Sequence, residues 1–332
     1  MLTGCRIQNQ NRGFRIANLI FLLVMLLSYI GTAVVHTCID RMADEPLIFL
    51  SLAADTIFGI AFVTVMNVMR SQFEGILTTS SFLTESQRRK LKKHSIISAV
   101  ILILYFTQAG VLTTIHVWGH SLQHVAIDLC SSYITLNSWF IGGSCVYTYF
   151  VKLIRCREER YFTRLVTALS AGKVNETEML DLMLERRDVT EFKRKILQAF
   201  SLIPCAWFAF IFLTMAMVYE LLESSELVTL IVMRLVEMLL LVSTIAYVIS
   251  LCESVTVYTK QMTTKVITNL MRSGRMGEMA DLVTELKESS GFQFTVWSMF
   301  DMNRRFALSF LSSLITFTVL FIQIGSAWKR LH

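Results

Sequence analysis

Charge is scarce in this chain: Asp, Glu, Lys and Arg make up 17% of its 332 residues, and 54% are hydrophobic. A soluble domain carries about a quarter of its residues as charges, so the shortage excludes an ordinary soluble fold. Enzyme signatures are missing too. There is no phosphate loop and no zinc-type spacing of Cys or His, and no carboxylate pair is placed for catalysis outside the buried pocket candidates. Neither an enzymatic activity nor a metal or cofactor is expected.

What is present is a series of apolar runs of about 20 residues, the length needed to cross ~30 Å of hydrocarbon as a helix. Seven can be read, at 14–38, 46–69, 95–118, 129–151, 196–219, 227–252 and 306–327. Only helices satisfy their own backbone groups in lipid, so the expected class is an all-α polytopic membrane protein with seven transmembrane helices. The first run follows Arg6, Arg12 and Arg15 and holds "GTA" at 31–33, as a signal peptide would. Its apolar core is longer than a typical signal core, which favours a span. The chain then divides into helices one to four (1–152), a connection (153–195), helices five and six (196–252), a second connection (253–305), and helix seven with a short tail (306–332).

Cations are nearly missing from one set of connections. Of the 31 Lys and Arg, 27 fall before the first run or in the second, fourth and sixth connections. The other side holds only Arg41, Lys329 and Arg330, and Arg234 lies within a span. Cytoplasmic loops carry the excess of Lys and Arg, so the N-terminus is expected inside and the C-terminus outside. The net charge of +6 is therefore a topology signal and gives no reason to expect nucleic acid. G-protein-coupled receptors have the opposite orientation. The chain also has only two prolines, lacking those that kink their later spans, and no Asp-Arg-Tyr or Asn-Pro-x-x-Tyr stretch. The glycosylation sequon Asn175-Glu176-Thr177 falls in the most basic connection, on the face that glycosylation does not reach. Of the seven cysteines, only Cys38 and Cys130 lie near the outer face. They allow at most one disulfide, and two free thiols are an equal alternative.

The inner connections carry helical patterns. In the fourth, Tyr161, Phe162, Leu165, Val166 and Leu169 share one face and Gly172 is placed as a stop. A second helix begins at Asn175, with Glu178 completing a capping-box pattern. The sixth repeats the form, with Gly274 and Gly291 as stops. Spans 4, 5 and 6 are thus expected to extend into the cytosol and pack there, the alternative being solvated amphipathic linkers.

The last run contains an amide, Gln323, in "ITFTVLFIQIG". Unpartnered in hydrocarbon, an amide costs several kcal/mol on alkane-like scales and about 1–3 kcal/mol by mutational ones, so something must solvate it. Ser309, Ser312, Thr316 and Gln323 recur at helical spacing, with Val319 or Leu320 completing the stripe. Such groups usually face a bundle interior or a water path, although Ser and Thr also bond their own backbone or a neighbouring helix. The ending "FDMNRRFALSFLSSLITFTVLFIQIG" resembles that of the insect gustatory and odorant receptor superfamily and its invertebrate relatives. In that superfamily a Thr-Tyr, five hydrophobic residues and Gln-Phe close the seventh helix. Thr316 and Gln323 match at the right spacing, whereas Phe317 and Ile324 replace the two aromatics.

The resemblance implies a chemosensory, gustatory-type receptor in the plasma membrane of sensory cells, acting as a ligand-gated non-selective cation channel. It implies a tetramer of like or mixed subunits, with Ser309, Ser312, Thr316, Val319 and Gln323 lining the pore. Candidates for the small-molecule pocket are Asp55, His116, Trp118, Arg234 and Glu237. Asp55, Arg234 and Glu237 lie roughly 10–15 Å below the outer ends of their spans at 1.5 Å per residue. Arg234 and Glu237, three apart, can pair on one helix face; a structural ion pair is the alternative. His36, His116, Trp118, His120 and His124 gather near the outer ends of spans 1, 3 and 4, where interfacial His and Trp are routine. A metabotropic receptor and a transporter are the rival readings.

Overall fold

A computed structural model describes residues 84–98, 100, 103, 123–171, 175–200, 204, 207, 208, 211, 215, 228–296 and 300–331. Within these, backbone alone is described for 123–139, 199–200, 228–234, 237, 321–322 and 324–331. The described chain is mostly helical. The helices are α1 (Gln123–Ser170), α2 (Glu176–Phe200), α3 (Val228–Arg272), α4 (Ala280–Ser290) and α5 (Arg304–Leu331). A helical stretch at 85–98 precedes them.

Two of the helices are far longer than a membrane is thick. α1 has 48 residues and α3 has 45, or about 70 Å each at 1.5 Å per residue against ~30 Å of hydrocarbon. Both prolines, Pro46 and Pro204, lie outside them, so neither helix loses a backbone donor or meets a ring clash. Among the described residues one helical segment, Met238–Arg272, is long and apolar enough to cross a membrane by composition. The run read as the fourth span thus continues without a break through the basic residues after it. The run read as the sixth does the same.

α1 and α3 pack along each other and carry two successive cores. The first gathers Phe140, Tyr147, Ile154, Trp207, Val248 and Cys252, against which Phe306 and Phe310 of α5 also pack. In the second, Tyr161, Phe162 and Leu165 of α1 meet Leu182, Val266, Leu282 and Leu286 from α2, α3 and α4. Burying each such Leu or Phe contributes about 1.5–3 kcal/mol. The sequence pattern had this face nearly right. Val166 departs from it, being 37% exposed, while Ala168 is buried in its place; Val166 lies one residue beyond the stripe, about 100° round the helix from Leu165.

The stops follow local chemistry. α3 ends at a left-handed Gly274 (φ 69°). Arg275 N–H reaches Leu270 O at 3.1 Å and Gly274 N–H reaches Met271 O at 3.2 Å, the paired bonds of a Schellman motif. α2 opens after Asn175, whose carbonyl accepts Met179 N–H at 2.9 Å. Gly291 caps α4 in the right-handed region (φ −71°), so there glycine's conformational freedom is not what stops the helix.

Before α5 the chain makes a small antiparallel pair that the sequence pattern did not reveal, β1 (Thr295–Val296) with β2 (Phe300–Asp301). Met302 N–H closes it on Phe294 O at 2.7 Å, and Asn303 Oδ1 caps α5 by accepting Phe306 N–H at 2.9 Å. The Met302 side chain is buried, and its sulfur accepts the Tyr147 hydroxyl at 3.5 Å. Arg304 pairs with Glu253 of α3 at 3.0 Å. The foot of α5 is therefore pinned to both long helices. Met302→Ala should cost about 2–5 kcal/mol and Met302→Leu less than about 1.5, read as thermal unfolding of the purified protein. Equal melting of both variants and the parent would show that this sulfur bears no load.

Candidate functional site

α5 presents two unlike faces. Phe306, Ala307, Phe310 and Leu314 pack into the first core, with Phe208 at 5.1 Å from the Phe306 ring and 4.4 Å from the Phe310 ring. Opposite them, Ser309, Ser312, Thr316, Val319 and Gln323 are all exposed. At 100° per residue these five fall within about 80° of arc, centred on the direction away from the packed face. Leu308, Leu311 and Ile315 flank the stripe and are also exposed. Phe317 sits on the packed side, half-buried. The Thr316 hydroxyl donates to Ser312 O at 3.0 Å and that of Ser313 to Ser309 O at 2.9 Å. Such back-bonding satisfies a hydroxyl proton within the helix and leaves the oxygen's remaining acceptor capacity facing outward.

Between the two cores lies a polar cluster that sequence reasoning missed. Glu158 of α1 is fully buried, and Arg186 of α2, also fully buried, donates to its Oε2 at 2.7 Å. Lys193 of α2, 3% exposed, pairs with the other carboxylate oxygen. Arg186 Nε donates to Ser289 Oγ of α4 at 2.7 Å, and its guanidinium lies 5.2 Å from the Tyr161 ring centroid. Burial alone pushes the Glu158 carboxyl up, but Lys193 and then Arg186 outweigh it and hold it below its usual value. One carboxylate thus serves two cations and joins α1 to α2, and the Arg186–Ser289 bond ties α4 to them. The available signal was spacing: Glu158 precedes Tyr161, Phe162 and Leu165 on the same buried face, and a charge at such a position needs a buried partner.

A second polar chain ties the 85–98 stretch to α1. Lys152 Nζ donates to His94 Nδ1 at 2.9 Å, His94 Nε2 lies 3.2 Å from Thr148 Oγ1, and that hydroxyl donates to Cys145 O at 3.0 Å. With Nδ1 accepting, the ring hydrogen is assigned to Nε2. Burial first, and Lys152 second, lower the His94 pKa to about 4 from 6.5. The neutral ring therefore supports the fold above pH 6.5, and that support is lost as pH falls toward 4, because the unfolded chain takes the proton first. Melting temperature should drop between pH 7 and pH 5, and His94→Gln should flatten that slope. An unchanged slope in the variant would exclude the ring as its source.

Of the pocket candidates, Asp55, His116 and Trp118 lie outside the described residues, as does Cys38. Arg234 and Glu237 stand three apart on α3, but their side chains, like that of Cys130, lie outside them. Gly172 and His36 also fall outside.

No protein-family model and no curated protein matches the chain. Among solved structures it is similar to the insect olfactory receptor OR5 from Machilis hrabei. The TM-score is 0.67 at 10% sequence identity, over 96% of this chain and 93% of that one. At that identity the likeness is one of fold, and it extends nearly end to end in both chains. The long helices and the pinned final helix fit this match: the chain shares the fold of that insect olfactory receptor.

Proposed function

We propose that the chain is a chemosensory receptor subunit of gustatory type, which opens as a ligand-gated, non-selective cation channel in the plasma membrane of sensory cells. In this reading seven spans place the N-terminus inside and the short tail outside. Four subunits, alike or mixed, surround a pore lined by α5 of each. The observation that carries it is the polar stripe on the bare face of α5, directly opposite the face buried in its own chain. Polar side chains within a span usually face a bundle interior or a water path rather than lipid. Arranged around a water path they are solvated, and Leu308, Leu311 and Ile315 remain to meet neighbouring helices or lipid. Asp55, His116, Trp118, Arg234 and Glu237 are proposed to line the ligand pocket opening toward the outside.

Expression in oocytes with current recording against a chemical panel tests the reading. The expected result is a ligand-evoked cation current, with a tag at residue 1 reached only after permeabilisation. A tag reached from outside intact cells would overturn the orientation and the channel with it. A response that depends on an added G protein would favour the metabotropic alternative.

A further inference from the structure

We propose that the 85–98 stretch is a binding site for an anionic phospholipid of the cytoplasmic leaflet, recognised through its phosphate-bearing headgroup. The proposal rests on the proposed orientation, in which the second connection is cytoplasmic. The stretch is fixed at its start by a reciprocal cap: Thr84 N–H donates to Gln87 Oε1 at 3.2 Å and Gln87 N–H to Thr84 Oγ1 at 3.3 Å. Gln87 Nε2 also donates to Cys156 O of α1 at 2.8 Å. Gln87, Leu91, His94 and Ser98 form the buried face, at the 3.6-residue period of one helix side. Everything cationic is turned the other way: Arg88, Arg89, Lys90, Lys92 and Lys93 are all exposed.

Two features point to lipid in particular. The first is unbalanced charge. Glu85 takes Arg89 at 2.7 Å and Glu159 of α1 lies 3.9 Å from Lys90, but no carboxylate among the described residues pairs with Lys92 or Lys93. The second is the apolar row immediately after the cations. Ile96, Ile97, Val100 and Ile103 are 54%, 46%, 47% and 63% exposed, large side chains suited to acyl chains and costly in water. From Lys92 to Ile96 the helix rises only about 6 Å, so the cations sit at headgroup depth when the isoleucines sit in hydrocarbon. Lysine stems are long enough to reach phosphate from there. Clusters of this kind beside a span attract the anionic lipids concentrated in the cytoplasmic leaflet.

The test uses the full chain in detergent and the anisotropy of a fluorescent, short-chain phosphatidylinositol bisphosphate. Each exposed cation near such a surface is worth about fivefold in affinity, so Lys92→Gln with Lys93→Gln should weaken binding about 25-fold. The same charge loss at Lys260 and Lys265, both exposed on α3, should leave it unchanged. Unlabelled short-chain phosphatidylserine should displace the probe and phosphatidylcholine should not. Because Lys92 and Lys93 project from the surface, the variant should elute from gel filtration as the parent does. Equal binding by parent and Lys92/Lys93 variant would overturn the proposal while leaving the channel reading intact. Displacement by inositol trisphosphate as effective as by the lipid would make free phosphate the ligand and overturn the lipid assignment. A tag at residue 1 reached from outside would place the site on the wrong leaflet and overturn both.

Discussion

In the proposed channel, Gln323→Glu is expected to shift permeation toward divalent cations, as increased calcium permeation or as calcium block. A carboxylate about 4 Å from a monovalent cation in water is worth about 1 kcal/mol, and about twice that for a divalent one. The preference for divalent ions should therefore rise about fivefold per carboxylate engaged, and four copies would bring four carboxylates to one ring. Gln323→Leu is expected to act oppositely on wetting and to lower unitary conductance, since hydrophobic constrictions gate by dewetting. Thr316, about two turns deeper and already bonded to Ser312 O, should give a smaller change in the same direction as Thr316→Val. Phe317, half-buried on the packed side, should alter gating or yield when replaced by Leu. Single-channel recording with calcium and sodium reversal potentials measures all four. Unchanged conductance and selectivity in both Gln323 variants at normal surface expression would remove the residue from the pore.

Glu158→Gln should be the most damaging single change to the fold among the described residues. It leaves Arg186 and Lys193 buried without a counter-charge, and breaking a buried pair in this way costs about 3–5 kcal/mol. Lys193→Met should cost less, because it leaves a neutral Glu158–Arg186 pair joined at 2.7 Å and puts an apolar stem where the lysine stem ran. Folded yield by size exclusion and thermal melting rank the two, and an order with Lys193→Met the worse would contradict the cluster as described. The pH dependence separates this cluster from His94. Glu158 is held below its usual carboxylate value, so its contribution is present above about pH 4.3 and is lost only as pH falls through the lowered value. A fall in melting temperature between pH 6.5 and 5 that His94→Gln abolishes therefore belongs to His94 and not to Glu158.

How much of the fold was legible in the chain alone depends on the range of the forces involved. Hydropathy and helical period depend on neighbours within a few turns, and they gave the helical class, the continuation of the apolar runs into the basic segments, the Gly274 stop and the stripe from Ser309 to Gln323. The Thr and Gln spacing of the last helix pointed to a superfamily that includes olfactory receptors, and the fold is similar to that of one insect olfactory receptor. The strand pair before α5 escaped because each strand is two residues long, too short for alternation to register. Val166 was misplaced because a stripe's edge is decided by which neighbour arrives beside it. Above all, the sequence could not pair Glu158 with Arg186 and Lys193, which are 28 and 35 positions away, nor His94 with Lys152, 58 positions on. In the sequence these five are ordinary members of charged, amphipathic segments. Only the packing of α1 against α2 and of the 85–98 stretch against α1 removes their water, and that desolvation turns solvated charges into partners that hold one another in place.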